Sequence, residues 1–173
     1  MKCAMTMAAA GTRPRVGLMD FGAKQIDYVY ALDEQRRLQQ ALIANRKGDI
    51  IPSPLAGHVM LLEHTPVYTL GRGSSESHLL NKQIQTIRTE RGGEVTYHGP
   101  GQLVGYLVLD LEYFKKDLHC LVSGMERAAI LTLQQQGVPT ARAGGKGKTG
   151  VWVDDRTKKA LTELCRAVCP TPR

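Results

Sequence analysis

The 173-residue sequence predicts an α+β fold in which a mixed β-sheet is packed by helices. Three observations predict this class. Short apolar segments with strand character are spread along the chain, two long segments have helical periodicity, and the two kinds alternate irregularly without internal repeats. A chain of this length forms one domain that can bury a core, and its apolar fraction of 42% is that of a globular protein.

The first half of the chain contains four predicted strands and one predicted helix. The strands are Val16 to Phe21, His58 to His64, Val67 to Gly73 and Ile84 to Glu90. The helix is predicted from Asp27 to Arg46, because apolar residues recur there at helical spacing with charged residues between them. These apolar residues are Tyr28, Ala31, Leu32, Leu38, Ala41 and Leu42. Gly48 to Pro54 is predicted to be a loop by its glycine and proline content.

In the second half, a glycine-rich polar segment, Arg91 to Gln102, leads into the apolar segment Leu103 to Leu111. The apolar segment is predicted to be a buried strand. A helix is predicted from Asp117 to Gln136, with Asp117 as its N-cap and Gly137 as its terminator. The predicted apolar stripe of this helix consists of Leu118, Leu121, Val122, Met125, Ala129 and Leu133.

The two ends of the chain differ from its centre. Residues 1–15 carry basic side chains and no acidic ones, which is typical either of a disordered leader or of the remnant of an organelle transit peptide. Thr149 to Val153 is a last predicted strand. Ala160 to Val168 has helical periodicity and is followed by prolines.

Composition excludes several classes of function. No apolar run approaches the roughly 20 residues that cross a bilayer, so no membrane association is expected. The four cysteines form no CxxC pair and have no histidine at metal spacing, which predicts no metal site and favours a reducing interior. The net charge of +7 suits an acidic partner, although such basicity also simply keeps a protein in solution. No aromatic platform or recognition-helix pattern accompanies the charge, so no nucleic-acid partner is expected.

The glycine-rich segment Arg91 to Gln102 carries the strongest functional signal. Because it is so poor in apolar side chains, it cannot fill a core. Its glycines predict a backbone that lets another group approach closely. A polar, glycine-rich segment that leads into a buried strand is a common way to build the wall of a ligand site.

The segment RGGEVTYHGPGQLVGY, from Arg91 to Tyr106, strongly resembles the signature of the lipoyl(octanoyl) transferases. LLEHTPVYTLGRG before it, YLVLDL, the long second helix and TGVWV after it agree with that family, so the resemblance covers Val16 to Val153. It implies a fold shared with lipoate and biotin protein ligases, with the acyl chain beside the sheet. It also implies transfer of an octanoyl group from acyl carrier protein to a lysine of a lipoyl domain, in 2-oxoacid dehydrogenases or the H protein of glycine cleavage. No cofactor is implied.

The resemblance implies that eight consecutive residues bind the acyl substrate: Arg91, Gly92, Gly93, Glu94, Val95, Thr96, Tyr97 and His98. The two glycines would let the main chain come close to the acyl chain or its thioester carbonyl. Gly99 to Gly101 would form a rigid turn that presents His98 and nearby backbone amides to a developing oxyanion. By residue type alone, Arg91 could instead pin the segment by hydrogen bonds, and His98 could be a hydrogen-bonded structural histidine.

Other polar positions have simpler interpretations. Gly71 to Gly73 matches a family segment near the substrate, and a plain turn after a strand explains it equally well. Ala143 to Gly150 is similar to a phosphate-binding loop, but Arg142 stands where that motif needs a glycine and the preceding residues predict a loop. Its basic residues could meet an acidic carrier protein or form a solvated loop. Core or surface roles are expected for His58, His64, His78 and His119.

The catalytic residues are the weakest part of the resemblance. In the family a cysteine takes the octanoyl group as a thioester, and a lysine lowers the pKa of that cysteine. Lys158 is the best positional match for the lysine, with Lys159 as the alternative. The family's cysteine segment is absent from its expected place, so Cys169, or else Cys165, is only a candidate substitute nucleophile.

The resemblance therefore predicts an incomplete catalytic domain over residues 16–157, which lacks the family's last strands, and a divergent tail over residues 158–173. Sheet edges left without partners would favour self-association. An octanoyltransferase, an inactive fragment that still binds acyl groups or carrier protein, and a lipoate or biotin ligase all stay open as functions. A bacterial protein of this kind would be cytoplasmic, and a eukaryotic one would lie in mitochondria or plastids.

Overall fold

Nine strands and two helices follow one another in the computed structural model, which describes residues 14–48, 54–75, 77, 79, 81, 83–114, 117–145, 149–153 and the backbone of 157–161. In chain order they are β1 (Arg15–Ile26), α1 (Tyr28–Lys47), β2 (Leu55–His64), β3 (Val67–Leu70), β4 (Gln85–Arg88), β5 (Val95–His98), β6 (Val104–Leu109), α2 (Leu118–Gln135), β7 (Arg142–Ala143), β8 (Val151–Val153) and β9 (Thr157–Leu161). The predicted α+β class is confirmed.

The described strands form three sheets of three strands each. The first sheet has the order β1-β2-β6, the second β4-β3-β5 and the third β7-β8-β9. In the first two sheets the central strand has one parallel and one antiparallel neighbour, whereas the third sheet is antiparallel throughout. The predicted mixed sheet is thus present, but it is divided into separate sheets.

Helix α1 connects the parallel strands β1 and β2 and packs on the first sheet. Asp27 caps its start, since its carboxylate accepts from the amides of Val29 and Tyr30 at 2.9 and 3.1 Å. Gly48 ends it in the left-handed conformation, with φ of 77°. The core between helix and sheet consists of Ala31, Leu38, Leu42, Met60, Leu62, Val104 and Val108. The predicted boundaries are correct to within one residue.

Two details of α1 correct the predicted apolar face. Ala41 is exposed, and Gln35 is buried instead. The burial of Gln35 is tolerated because its side-chain amide donates to the carbonyl of Ala31, 3.1 Å away.

Strand β1 is longer than the predicted Val16 to Phe21. The sequence pattern breaks at Gly22, whose φ is 60° and whose amide donates to Asp20 Oδ1 at 2.8 Å. Pairing with β2 resumes at Gln25 after a register shift. Pairing with β2 therefore continues β1 beyond the irregularity at Gly22, which by sequence alone predicts the end of the strand.

Helix α2 has the predicted caps but not the predicted burial. The Asp117 carboxylate accepts from the amides of His119 and Cys120, and Gly137 follows the helix with φ of 85°. Of the described helix residues, only Cys120 and Met125 are buried. Leu118, in the predicted stripe, is 54% exposed. The helix lies against β7 and β8 of the third sheet.

Three strands correct the sequence-based assignments. β5 lies within the glycine-rich segment Arg91 to Gln102, where no strand was predicted. β7 lies where a loop was predicted, at the start of the Ala143 to Gly150 segment. β9 includes Ala160, where helical periodicity was predicted to begin. In each case pairing with a neighbouring strand overrides the local pattern. Residues 162–168 of the predicted helix and 49–53 of the predicted loop lie outside the described residues.

Smaller differences concern strand ends. The strands predicted to end at Gly73, Glu90 and Leu111 end at Leu70, Arg88 and Leu109. A single 3-10 turn, Leu111–Tyr113, follows the last of these strands. Within the described ranges, neither helix combines the length and the apolar character that a membrane span requires.

Candidate functional site

Strand β3 is the centre of the candidate site. All four of its residues are buried, and it lies between β4 and β5 in the second sheet. In the antiparallel ladder with β5, Val67 pairs with His98 and Thr69 with Thr96. The second half of the segment predicted to bind the acyl group is therefore fixed on the most buried strand of this sheet.

Arg91 pins the first half of that segment to the sheet. Its guanidinium donates to the carbonyl oxygens of Gly92, Thr69 and Glu94 at 2.9, 3.2 and 2.8 Å. It also donates to the hydroxyl oxygens of Thr69 and Thr96 at 3.2 and 3.1 Å. The anchoring role that the residue type left open for Arg91 is thus present in the structure. The guanidinium thus fixes the backbone conformation of the segment to which it belongs.

Gly71 and Gly93 allow two main-chain segments to touch. A Cβ atom on Gly71 would lie 2.1 Å from the carbonyl oxygen of Gly93, and Gly93 itself has φ of 86°. The amide of Arg72 donates to the Arg91 carbonyl at 2.9 Å, and the Ser74 hydroxyl donates to that of Gly93 at 3.4 Å. Gly71 is therefore more than a turn residue, since any side chain there would separate the two segments.

Gly92 lies on the open side of the same segment. It is exposed, and a Cβ atom built on it would meet no atom of the described structure within 4 Å. Because Arg91 and Gly93 hold the backbone on either side, the main chain at Gly92 is presented rigidly to its surroundings. This is a surface on which a neutral, slender group can lie against peptide backbone.

His98 ends β5 and is buried, with 3% of its surface exposed. Its Nε2 atom lies 3.3 Å from the hydroxyl oxygen of Thr69. Its ring also packs edge-on against that of His64, with 5.6 Å between the ring centroids. These contacts are those of a buried histidine held by side chains from two sheets.

His64 has partners that the sequence analysis missed. It is fully buried, its Nδ1 lies 2.8 Å from the carbonyl oxygen of Ile26, and its Nε2 lies 2.8 Å from the hydroxyl oxygen of Tyr106. Burial lowers the pKa of His64 below its ordinary 6.5, against the opposing effect of the Ile26 hydrogen bond. A carbonyl can only accept, so in the neutral ring Nδ1 donates to Ile26 and Nε2 accepts from Tyr106.

Tyr28, His64, His98 and Tyr106 together form what we call the histidine cluster. The ring of Tyr28 lies 5.2 Å from that of His64 and 6.1 Å from that of His98. The cluster joins the first turn of α1, the ends of β2 and β5, and β6. Strand alternation carried a signal for it, because Met60, Leu62 and His64 occupy one face of β2 and the first two belong to the core.

The turn after His98 is formed as predicted, but its amides are already engaged. The Gln102 amide donates to the Gly99 carbonyl at 3.2 Å, and the Gly101 amide donates to Glu63 Oε2 at 2.7 Å. Contrary to the prediction, these two amides are therefore not open to an oxyanion. Tyr97 covers the turn, since a Cβ atom on Gly99 would lie 2.3 Å from the Tyr97 hydroxyl oxygen.

The candidate catalytic residues are placed less completely. β9 brings the backbone of Lys158 and Lys159 beside β8, the strand that includes Trp152. Cys165 and Cys169 lie outside the described residues. Cys120, on α2, is buried and disulfide-bonded, which differs from the reducing interior that the cysteine pattern favours.

The other polar positions take no part in this arrangement. His58 is half-buried beside Gly17, and His119 is exposed on α2. His78 and residues 146–148 of the Ala143 to Gly150 segment lie outside the described residues. In the described part of the chain, no three His, Cys, Asp or Glu side chains are grouped so as to hold a metal ion.

Comparison with known proteins identifies a family and several relatives of this chain. The family profile of the lipoyl protein ligase A/B catalytic domain matches residues 27–159. The chain is 45% identical over 139 residues to an octanoyltransferase of Gloeobacter violaceus, which covers 79% of this chain and 58% of that protein. It is 41% identical over 152 residues to one of Synechocystis sp., covering 86% and 62%. It is 39% identical over 166 residues to one of Flavobacterium johnsoniae, covering 90% and 67%. The chain thus spans about three fifths of the length of the first two relatives.

Proposed function

Because this chain belongs to the lipoyl protein ligase A/B catalytic domain family, we propose that it serves octanoyl transfer in lipoate biosynthesis. The octanoyl group would move from acyl carrier protein to a lysine of a lipoyl domain through a cysteine thioester. The relatives named octanoyltransferase support this choice over ligation of free lipoate or biotin.

The observation that carries the proposal is the Arg91–His98 segment. Arg91 fixes its first half, pairing with β3 fixes its second half, and exposed backbone at Gly92 lies between two held residues. An octanoyl chain is slender, and a rigid backbone with glycines in place of side chains lets such a chain approach closely. We propose that the acyl group lies along this wall.

The proposed chemistry has two steps. A cysteine thiolate attacks the thioester carbonyl of the carrier protein, so that one carbon–sulfur bond forms, another breaks and the carrier thiol leaves. The amine of the lipoyl-domain lysine then attacks the enzyme thioester, an amide forms, and the cysteine is regenerated. Neither step needs a cofactor. In this chain Lys158 is the proposed group that lowers the pKa of the thiol, and Cys169 is the proposed nucleophile, with Cys165 as its alternative.

The proposed partners follow from the reaction. Acyl carrier proteins are acidic, and the net charge of +7 would steer them toward this chain. The acceptors would be lipoyl domains of 2-oxoacid dehydrogenases or the H protein of glycine cleavage. We propose that the protein works where these partners are, in the cytoplasm of a bacterium or in a mitochondrion or plastid of a eukaryote.

Mass spectrometry tests the proposal directly. The reduced protein is incubated with octanoyl-acyl carrier protein, and then a lipoyl domain is added. We expect an octanoyl adduct on Cys169 or Cys165, followed by an octanoylated lysine on the lipoyl domain. Lys158→Met should slow adduct formation, Lys159→Met tests the alternative lysine, and Lys47→Met at the end of α1 is the control.

The other outcomes are informative. Saturable binding of octanoyl-acyl carrier protein without an adduct or transfer would contradict the enzymatic proposal and identify an acyl-binding protein instead. ATP-dependent attachment of free lipoate or biotin would favour the ligase function. Absence of any binding would contradict the acyl site itself.

A further inference from the structure

We propose that Glu63 is a positioning residue that holds the turn after His98 and thereby sets His98 against the rest of the histidine cluster. The link to acyl binding rests on the proposed function, whereas the positioning itself is a property of this fold. It assigns a role to a carboxylate that lies outside the eight residues predicted to bind substrate.

Glu63 and His64 end β2 and point to opposite faces of that strand. Both nevertheless contact the same short stretch of chain. His64 packs against the ring of His98, 5.6 Å away, and Glu63 Oε2 accepts from the amide of Gly101 at 2.7 Å. The end of β2 therefore contacts both the last residue of β5 and the turn that follows it.

This stretch is the crossing between two sheets. β5 belongs to the second sheet and β6 to the first, so the five residues 99–103 must redirect the chain. Glycines at positions 99 and 101 give the turn wide conformational freedom, and Gly101 has φ of 79°. A hydrogen bond to an acceptor oxygen on a neighbouring strand selects one of the available conformations.

The strand register places Glu63 where it can do this. The ladder between β2 and β6 runs from Gly57–Leu109 to Leu62–Val104. Glu63 follows the last residue of β2 that pairs with β6, and Gly101 lies shortly before the first residue of β6 that pairs with β2. The Glu63 carboxylate thus adds one hydrogen bond between the end of β2 and the turn before β6, beyond the last backbone pair of these strands.

The segment predicted to bind the acyl group is consequently held at both ends. Arg91 anchors its start through the carbonyls of Thr69 and Glu94. Glu63 anchors the turn just past its end. Loss of the Glu63 acceptor should let the turn relax and let His98 reorient relative to Thr69, without removing any group that contacts the ligand.

Three substitutions separate geometry from charge. Glu63→Ala removes the acceptor, Glu63→Gln keeps an oxygen at the same reach without the charge, and Glu63→Asp keeps the charge but shortens the reach. Asp20→Ala is the matched control, because Asp20 Oδ1 accepts from the amide of Gly22 at 2.8 Å in the same exposed manner, far from the turn in sequence.

The first readout is NMR of the protein alone. We expect Glu63→Ala to speed hydrogen exchange of the Gly101 amide about fivefold or more and to shift the ring resonances of His98. Glu63→Gln should stay near wild type in both, and Glu63→Asp should resemble Glu63→Ala. Asp20→Ala should speed exchange at Gly22 and leave His98 unchanged. If Glu63→Ala does not fold, the contrast between Gln and Asp carries the same test.

The second readout is calorimetric binding of octanoyl-aminopantetheine, in which an amide replaces the thioester. Glu63→Ala and Glu63→Asp should weaken binding about fivefold, whereas Glu63→Gln and Asp20→Ala should stay within about twofold of wild type. Unchanged Gly101 exchange and unchanged His98 resonances in Glu63→Ala would overturn the proposal, and so would Glu63→Gln behaving like Glu63→Ala. If the wild-type protein does not bind this probe, the proposed acyl site fails, and the NMR comparison still decides the role of Glu63.

Discussion

Helices α1 and α2 begin alike and are buried very differently. Each starts with an aspartate that accepts from two backbone amides, and they have 20 and 18 residues. α1 lies on the first sheet, whose strands β1 and β2 have 12 and 10 residues, and five of its side chains are buried. α2 lies against β7 and β8, of two and three residues, and only Cys120 and Met125 are buried among its described residues. Capping determines where a helix starts, whereas the extent of the sheet beneath it determines how much it buries.

We call α1 with the first sheet, and α2 with the third sheet, the two layers. The largest expected difference between the two layers is in core packing. Leu62→Ala, in the core beneath α1, should lower the free energy of unfolding by about 3 kcal/mol, because Leu62 is fully buried and its removal leaves a cavity. Leu131→Ala, on α2, should cost less than about 1 kcal/mol, since Leu131 is 49% exposed. Urea unfolding measures both. Similar costs would show that α2 is covered by chain outside the described residues or by another molecule.

The second prediction concerns the close approach of Gly71 and Gly93. Gly71→Ala should destabilise the protein by about 2 kcal/mol, because its Cβ atom would lie 2.1 Å from the Gly93 carbonyl oxygen and the two segments would have to separate. Gly73→Ala is the control, since a Cβ atom there would meet nothing within 4 Å. Thermal unfolding and binding of octanoyl-aminopantetheine should both respond to the first change and not to the second.

The third prediction compares histidines in the two layers. Burial lowers the pKa of His64 in the folded protein below its ordinary 6.5, so the unfolded chain binds the additional proton more readily. The stability that His64 contributes is therefore complete above about pH 6.5 and is lost as the pH falls through its lower folded pKa. Burial, followed by the nearby Arg37 charge, also lowers the pKa of His58, which adds a smaller effect of the same sign.

Unfolding titrations between pH 5 and 8 test this. His64→Gln should flatten the dependence of unfolding free energy on pH below 6.5, by at most about 1.4 kcal/mol per pH unit. His119→Gln, on the exposed face of α2, should leave the wild-type slope. A wild-type slope retained in His64→Gln would mean that other groups cause the acid sensitivity.

The smallest expected effect is at the helix caps. Asp27→Ala and Asp117→Ala each remove an acceptor for two amides and should each cost about 1 kcal/mol. The two variants should differ in how much of the structure loses protection from hydrogen exchange. Hydrogen exchange should accelerate throughout the first sheet in Asp27→Ala, and only along α2 in Asp117→Ala. Equal spread in both variants would show that the two layers unfold as one unit.

Features set by neighbouring residues could be predicted from the sequence. Asp27 and Gly48 are adjacent in sequence to the helix that they cap, so the ends of α1 could be predicted from the sequence. The same holds for the caps of α2. Arg91 to His98 formed a recognisable segment because its residues are consecutive. Its family was identified correctly, although the site roles of these residues stay predictions.

Features set by distant partners could not be predicted. β5 and β9 exist because β3 and β8 pair with them, and the local pattern in each case favours another structure. His64 finds its hydrogen-bond partners 38 and 42 residues away, at Ile26 and Tyr106. Glu63 is likewise separated from Gly101 by 38 residues. Pattern along the chain shows which face of β2 is buried, but not which groups meet there.

The parallel pairing of β1 and β2 also has a consequence for the order of events during synthesis. These strands and the helix that joins them are contiguous in residues 15–64, so they can close on one another as soon as that stretch has left the ribosome. β6, which completes the first sheet, is translated only after β3, β4 and β5. We therefore expect the nascent chain to present a partly built sheet edge along β2, which waits for β6 while the glycine-rich segment is still being made.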